Sequence, residues 1–290
     1  MDKTSRYGPM LDALRGLAWS ARRSVRSAAP GTHRSPLRGV SPEFTEYRPY
    51  RQGDDPRRLD WKLLARTDRA SVRVTRDQST FATMMLVDAS ASMAFPKETL
   101  AKWEMACRVA IGLAAVALAA GDPVGFLVTG AGGLRPLAPS SRRGVITDAA
   151  GLLAAAVPEG AAPLSPALGF VRPEWRVAII SDFLGDTDHL LQAARERLGA
   201  GGEVHAVHVV AREELGPGAG AMLATDPEEP RIRRPLGPAN MEEYQSAFEL
   251  WRGEMAREWR DAGAGYTQVA TDEPAERAVR RIVEPAASRG

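Results

Sequence analysis

The sequence predicts an α/β protein: a mostly parallel β-sheet flanked by helices on both faces, preceded by a small basic region with some β-structure. Three observations carry this reading. Short, continuously apolar segments alternate with helical patterns from residue 81 onward, as buried parallel strands require. Two of those segments end in aspartate, at Asp88 and at Ser181-Asp182. The first 80 residues differ in kind, being rich in Pro, Gly and Arg, with 17 Lys/Arg against 9 Asp/Glu.

The chain has 290 residues, of which 44% are hydrophobic and 26% charged. This is ordinary globular composition and excludes disordered, collagen-like and low-complexity classes. The single cysteine, Cys107, excludes a disulfide framework or a cysteine-rich zinc site. No apolar run reaches the roughly 18 residues of a transmembrane helix. The opening residues carry charges at Asp2, Lys3 and Arg6 and lack the apolar core of a signal peptide. A cytoplasmic location is therefore expected.

Leu14, Leu17 and Ala18, with Arg15, Arg22, Arg23 and Arg26 between them, predict a basic peripheral helix over 12–29 within an N-terminal segment 1–30; Pro30-Gly31 stops it. Residues 31–80 form the β-containing region, with a strand over 71–75 where Val72 and Val74 alternate with polar residues. The parallel sheet occupies 81–290. Strands are expected over 83–87, 123–129, 176–180, 204–210 and 266–270, and helices over 98–120, 142–156, 187–198, 241–262 and 275–283. Gly130 to Gly133 read as a turn between two strands, and residues 215–240, rich in Gly and Pro, as an excursion at the sheet edge. His205 and His208 alternate along one strand three residues apart, on opposite faces, which argues against joint metal ligation.

Ligands of open parallel sheets bind beyond the carboxyl ends of the strands, where strand order reverses. Asp88-Ala89-Ser90-Ala91-Ser92 follows one strand and Asp182 another. A carboxylate and two hydroxyls at alternate loop positions can converge on a hard cation such as Mg²⁺, which takes oxygen ligands. The competing reading is that Asp88 and the serines cap loop amides and the next helix.

These residues resemble the metal-ion-dependent adhesion site (MIDAS) of von Willebrand factor type A domains, and the order of elements from residue 81 onward is similar to theirs. The resemblance implies Asp88, Ser90, Ser92 and Asp182 as metal-site residues and Mg²⁺ as the ion. That family places a threonine in a second loop. Here Gly160-Ala161-Ala162-Pro163-Leu164-Ser165 puts Ala162 in its position. An alanine has no oxygen to give, so weak or absent Mg²⁺ binding is expected.

A second pattern lies further toward the N-terminus. It comprises Glu43-Phe44, then Arg48-Pro49-Tyr50, then Gly53-Asp54-Asp55-Pro56-Arg57-Arg58-Leu59-Asp60-Trp61, then Ala65-Arg66. It resembles the signature of the domain of unknown function 58 (DUF58) family. Alternating acidic and basic residues around Trp61 suit a charge-paired structural clamp, and a catalytic cluster is the alternative. The family resemblance implies a non-enzymatic interaction module acting with a MoxR-type AAA+ ATPase on an unidentified client protein. A Mg²⁺-dependent hydrolase using Asp88 and Asp182 is the competing reading; the sequence offers no evident general base, phosphate loop or lysine near Asp88 for it. Nucleic-acid binding by the basic front is a weaker alternative and is not expected, because aspartates interleave the arginines and no stacking series of aromatics is present.

Overall fold

The computed structural model describes residues 5–19, 46–49, 63, 66, 67, 69, 71–74, 81–161, 163–185, 187–216, 222–225, 231, 233–237 and 240–284. The chain divides into two compact units. Within residues 25–80, β1 (Glu46–Pro49) pairs antiparallel with β2 (Ser71–Val74), Glu46 opposite Val74. Of the signature residues, Arg48 lies in β1 and Arg66 is exposed. Glu43, Tyr50, Gly53, Asp54, Asp55, Arg57, Asp60 and Trp61 lie outside the described residues.

The second unit holds the sheet. Its strands are β3 (Thr83–Ala89), β4 (Val124–Gly130), β5 (Gly133–Ser140), β6 (Arg176–Ser181), β7 (Glu203–Val210) and β10 (Gly265–Ala270). Their spatial order is β10-β7-β6-β3-β4-β5. Every pairing is parallel except β4 with β5, the hairpin that the Gly130–Gly133 turn predicts. The fold class read from the sequence is the one observed. The edge excursion contains a separate antiparallel pair, β8 (Met222–Thr225) and β9 (Arg233–Leu236).

Side chains alternate across the sheet and seed two cores. Met85, Val87 and Ala89 face one core, built with α1 (Gly8–Ala13), α2 (Ala101–Ala119), α3 (Val145–Ala154) and α8 (Ala275–Val283). Met84 and Leu86 face the other, built with α4 (Ser165–Leu168), α5 (Thr187–Gly199) and α7 (Met241–Asp261). The short α6 (Arg212–Leu215) follows β7. His205 and His208 take opposite faces, His205 beside Trp19 and His208 beside Phe183.

The N-terminal helix departs from expectation. It begins earlier, with Pro9 in its first turn, and ends at Ala13. Gly16 then takes a positive φ of 82°, which breaks any continuation through 14–19; residues 20–29 lie outside the described set. Met10 and Leu14 are buried in the first core, and Arg280 of α8 donates to the Ala13 carbonyl.

Gly112 of α2 makes this docking close. A Cβ there would stand 2.8 Å from Val279 Cγ2 and 3.1 Å from Leu14 Cδ1. Gly112→Leu is expected to cost about 1–3 kcal/mol through overpacking, read as a lower midpoint in urea unfolding. Gly253 of α7 has nothing within 4 Å of its virtual Cβ. Gly253→Ala is the control, expected to gain up to about 1 kcal/mol from helix propensity.

Candidate functional site

β3 is the strand from which the chain departs both ways, to β4 on one side and later to β6 on the other. The crevice of such a sheet opens between those strands at their carboxyl ends. Val87 pairs with Ile180, so Asp88 and Ser181 emerge side by side. The two loops expected to share a rim do so.

Asp88 is 5% exposed. Its Oδ1 accepts the Ser90 amide at 2.8 Å, and its Oδ2 accepts the Ser181 hydroxyl at 2.6 Å. Ser90 Oγ and Ser92 Oγ lie 3.0 Å apart. The 157–161 loop is stitched onto this turn, with the Ala91 amide donating to Gly160 O and the Glu159 amide to Ala89 O. The loop that carries the position of the type A domains' threonine therefore lies against the Asp88 turn; Ala162 itself is outside the described residues. An open cleft of about 270 Å³ sits over the site, with Asp88, Ser90, Ser181 and Thr187 as its polar lining and Leu164, Phe183 and Leu190 among its apolar walls.

Asp182 has a different environment. Lys102, near the start of α2, donates to Asp182 Oδ2 at 2.9 Å and reaches Glu214 Oε1 of α6 at 2.5 Å. The Lys102 side chain is 1% exposed. Burial alone would lower its pKa, but the Asp182 and Glu214 carboxylates outweigh burial and hold the ammonium above its ordinary value. Glu214 Oε2 accepts the Ala211 amide at 2.7 Å, and Asp182 Oδ1 accepts the Leu184 amide at 3.3 Å.

Lys102 and Glu214 are the site residues that sequence reading missed; Lys102 stands beside Asp182 and Glu214. The available signal was a lone lysine among the buried positions of an apolar helix. His208 is held neutral: burial drives its pKa down to about 3, despite the nearby Asp182 charge. It shares a 2.6 Å hydrogen bond with Tyr266.

Adjacent ligands of an octahedral ion with bonds near 2.1 Å are about 3.0 Å apart, the separation of the Ser90 and Ser92 hydroxyls. Asp88 is a buried carboxylate with no ion-pair partner among the described residues. These three residues fit a magnesium-sized cation. Asp182 already has its counter-ion. Among the described residues no cluster of three or more His, Cys, Asp or Glu could hold a metal, so the oxygens on offer are chiefly hydroxyls.

Burial first, and the Asp182 charge second, push Asp88 up to about 6. An unfolded aspartate titrates near 4. Between about pH 4 and 6 the native state thus keeps a proton that the unfolded chain has lost, and stability falls as pH rises through that window. A shift of about two units corresponds to roughly 3 kcal/mol. Asp88→Asn is therefore expected to stabilise the cation-free protein at pH 7.5 by more than at pH 4.5. Urea unfolding at both pH values checks this, and an equal effect at the two would contradict it.

The family model described as "Protein of unknown function DUF58" matches residues 46–236, and the chain belongs to that family. It is 29% identical over 271 residues to an uncharacterised protein of Mycobacterium tuberculosis, covering 90% of this chain and 84% of that one. A Mycobacterium bovis protein matches to the same extent. Among solved structures, BatB from Bacteroides thetaiotaomicron superimposes with a TM-score of 0.45 at 17% identity, over 70% of this chain and 96% of that one. The SpRpn10 VWA domain gives 0.40 at 11% identity, over 69% and 94%. No helix among the described residues is long and apolar enough to cross a membrane.

Proposed function

We propose that this DUF58 member is a non-enzymatic, cytoplasmic protein-interaction module. It acts with a MoxR-type AAA+ ATPase in the maturation or remodelling of a client protein complex. The partner docks on the rim where β3 and β6 end, through a MIDAS-like site. The observation that carries this reading is Asp88: a buried carboxylate without a counter-ion at the base of an open cleft, beside two converging hydroxyls. Burying an unbalanced charge is costly, and a cation bound there would remove the cost. Asp88, Ser90 and Ser92 would hold Mg²⁺, with Asp182 nearby. When bound, the ion supplies a positive centre for an acidic side chain of the partner. The protein's own part is to fix the loop: Ser181 and the Ser90 amide orient the Asp88 carboxylate, and the 157–161 loop braces the turn.

The test is retention of the ATPase partner on the immobilised full chain. Asp88→Ala is expected to weaken it by about tenfold or more, the loss typical of a central hot spot, with the far-ultraviolet spectrum unchanged. Retention that is the same with and without EDTA removes the metal bridge. Retention unaffected by Asp88→Ala removes the rim itself.

Calorimetric titration with Mg²⁺ and Mn²⁺ addresses the ion directly. Ala162→Thr adds an oxygen donor in the second loop and is expected to tighten binding over wild type, because ligand number helps set affinity.

A hydrolase reading draws on one feature, two carboxylates at one rim with a lysine beside Asp182. Lys102 is enclosed between two carboxylates, however, and cannot reach a substrate in that state. Mg²⁺-dependent turnover of phosphate esters that is lost in Asp88→Asn would establish the hydrolase instead.

A further inference from the structure

We infer that Lys102 is the built-in cation of this rim: it holds Asp182 out of any metal shell and leaves a divalent ion to the Asp88–Ser90–Ser92 loop alone. The inference rests on reading that loop as a cation site.

Lys102 is not a surface lysine that has folded over. Its side chain is 1% exposed, and it rises from α2 between Asp182 at the end of β6 and Glu214 of α6. The Phe95 ring stands 5.7 Å from its nitrogen. Each carboxylate it meets is fixed at its other oxygen by a backbone amide, Leu184 for Asp182 and Ala211 for Glu214. Turning Asp182 toward the Asp88 loop would break a hydrogen-bonded buried ion pair and leave a charge unpaired in the interior, which is strongly unfavourable. A metal offered to this rim therefore meets one carboxylate that is free of a counter-ion and one that is already neutralised.

Two consequences follow for the ion. Its shell is poor in negative charge, so binding is weaker than a two-carboxylate site would give. It also stands near a fixed ammonium of like sign, which weakens it further. Lys102 thus sets how tightly the rim holds a divalent cation without touching it.

The experiment is calorimetric titration of Mn²⁺ into the full chain and three variants: Asp182→Asn, Lys102→Met and the two combined. Asp182→Asn is expected to bind within about threefold of wild type, since Asp182 is not a ligand. Lys102→Met frees a carboxylate and is expected to bind about tenfold tighter or more, as added ligand charge does. The double variant is expected to return to the wild-type value. If Lys102→Met does not fold, Lys102→Met with Glu214→Leu removes both members of the outer pair and takes its place. Binding by wild type that falls tenfold in Asp182→Asn overturns the role of Lys102 and leaves the Asp88 loop as the cation site. Absence of binding in wild type and in folded Lys102→Met alike overturns the cation site itself, and the inference with it.

Discussion

The parallel pairing of β3 with β6 is the constraint on which the site depends. These strands are not neighbours in sequence. They meet because each is a short apolar run buried on both faces, and the helices that follow them pack on opposite sides of the sheet. With Leu86 opposite Ile179 and Val87 opposite Ile180, the next residues out are Asp88 and Ser181. A slip of one residue would turn every side chain of a strand to the other face, and Met84 and Leu86 would exchange cores with Met85 and Val87. The hydrophobic register of the interior therefore fixes the position of the polar atoms at the rim to within a hydrogen bond.

Two carboxylates reach this rim and find different conditions. Asp182 meets a buried ammonium and is balanced. Asp88 is satisfied only by neutral donors, a backbone amide and a serine hydroxyl. Hydrogen bonds orient a carboxylate and lower the cost of burying it, but they do not cancel its charge. The asymmetry arises from α2, which carries Lys102 toward β6 and past β3.

The sheet was legible in the sequence because its signals are local. Apolar runs such as Val177–Ile180 and the alanine-rich stretch within α2 declare burial by composition, and Gly130 to Gly133 declare a turn. Asp88, Ser90 and Ser92 were legible for the same reason, lying at alternate positions of one loop. The Lys102 pair was not, because its partners are far apart along the chain: Asp182 is 80 residues away and Glu214 further still. No spacing rule joins such residues; only the sheet order does. The N-terminal helix failed differently. Leu14 and Leu17 keep a helical spacing, yet Gly16 between them adopts a left-handed conformation, and the leucines pack without a helix.

The same electrostatics bear on what kind of protein this is. A catalytic acid or base must change protonation in contact with a reactant. Lys102 is sealed between carboxylates, and His208 is kept neutral among Phe183, Trp251 and Tyr266. Both hold loops and strands in place. Asp88 is the ionisable group that both lines the cleft and lacks a counter-charge among the described residues. It is held at both oxygens, by the Ser90 amide and the Ser181 hydroxyl, and lines the cleft. Under the proposed reading, such a site would attract positive charge and keep it in one place, as a docking point requires.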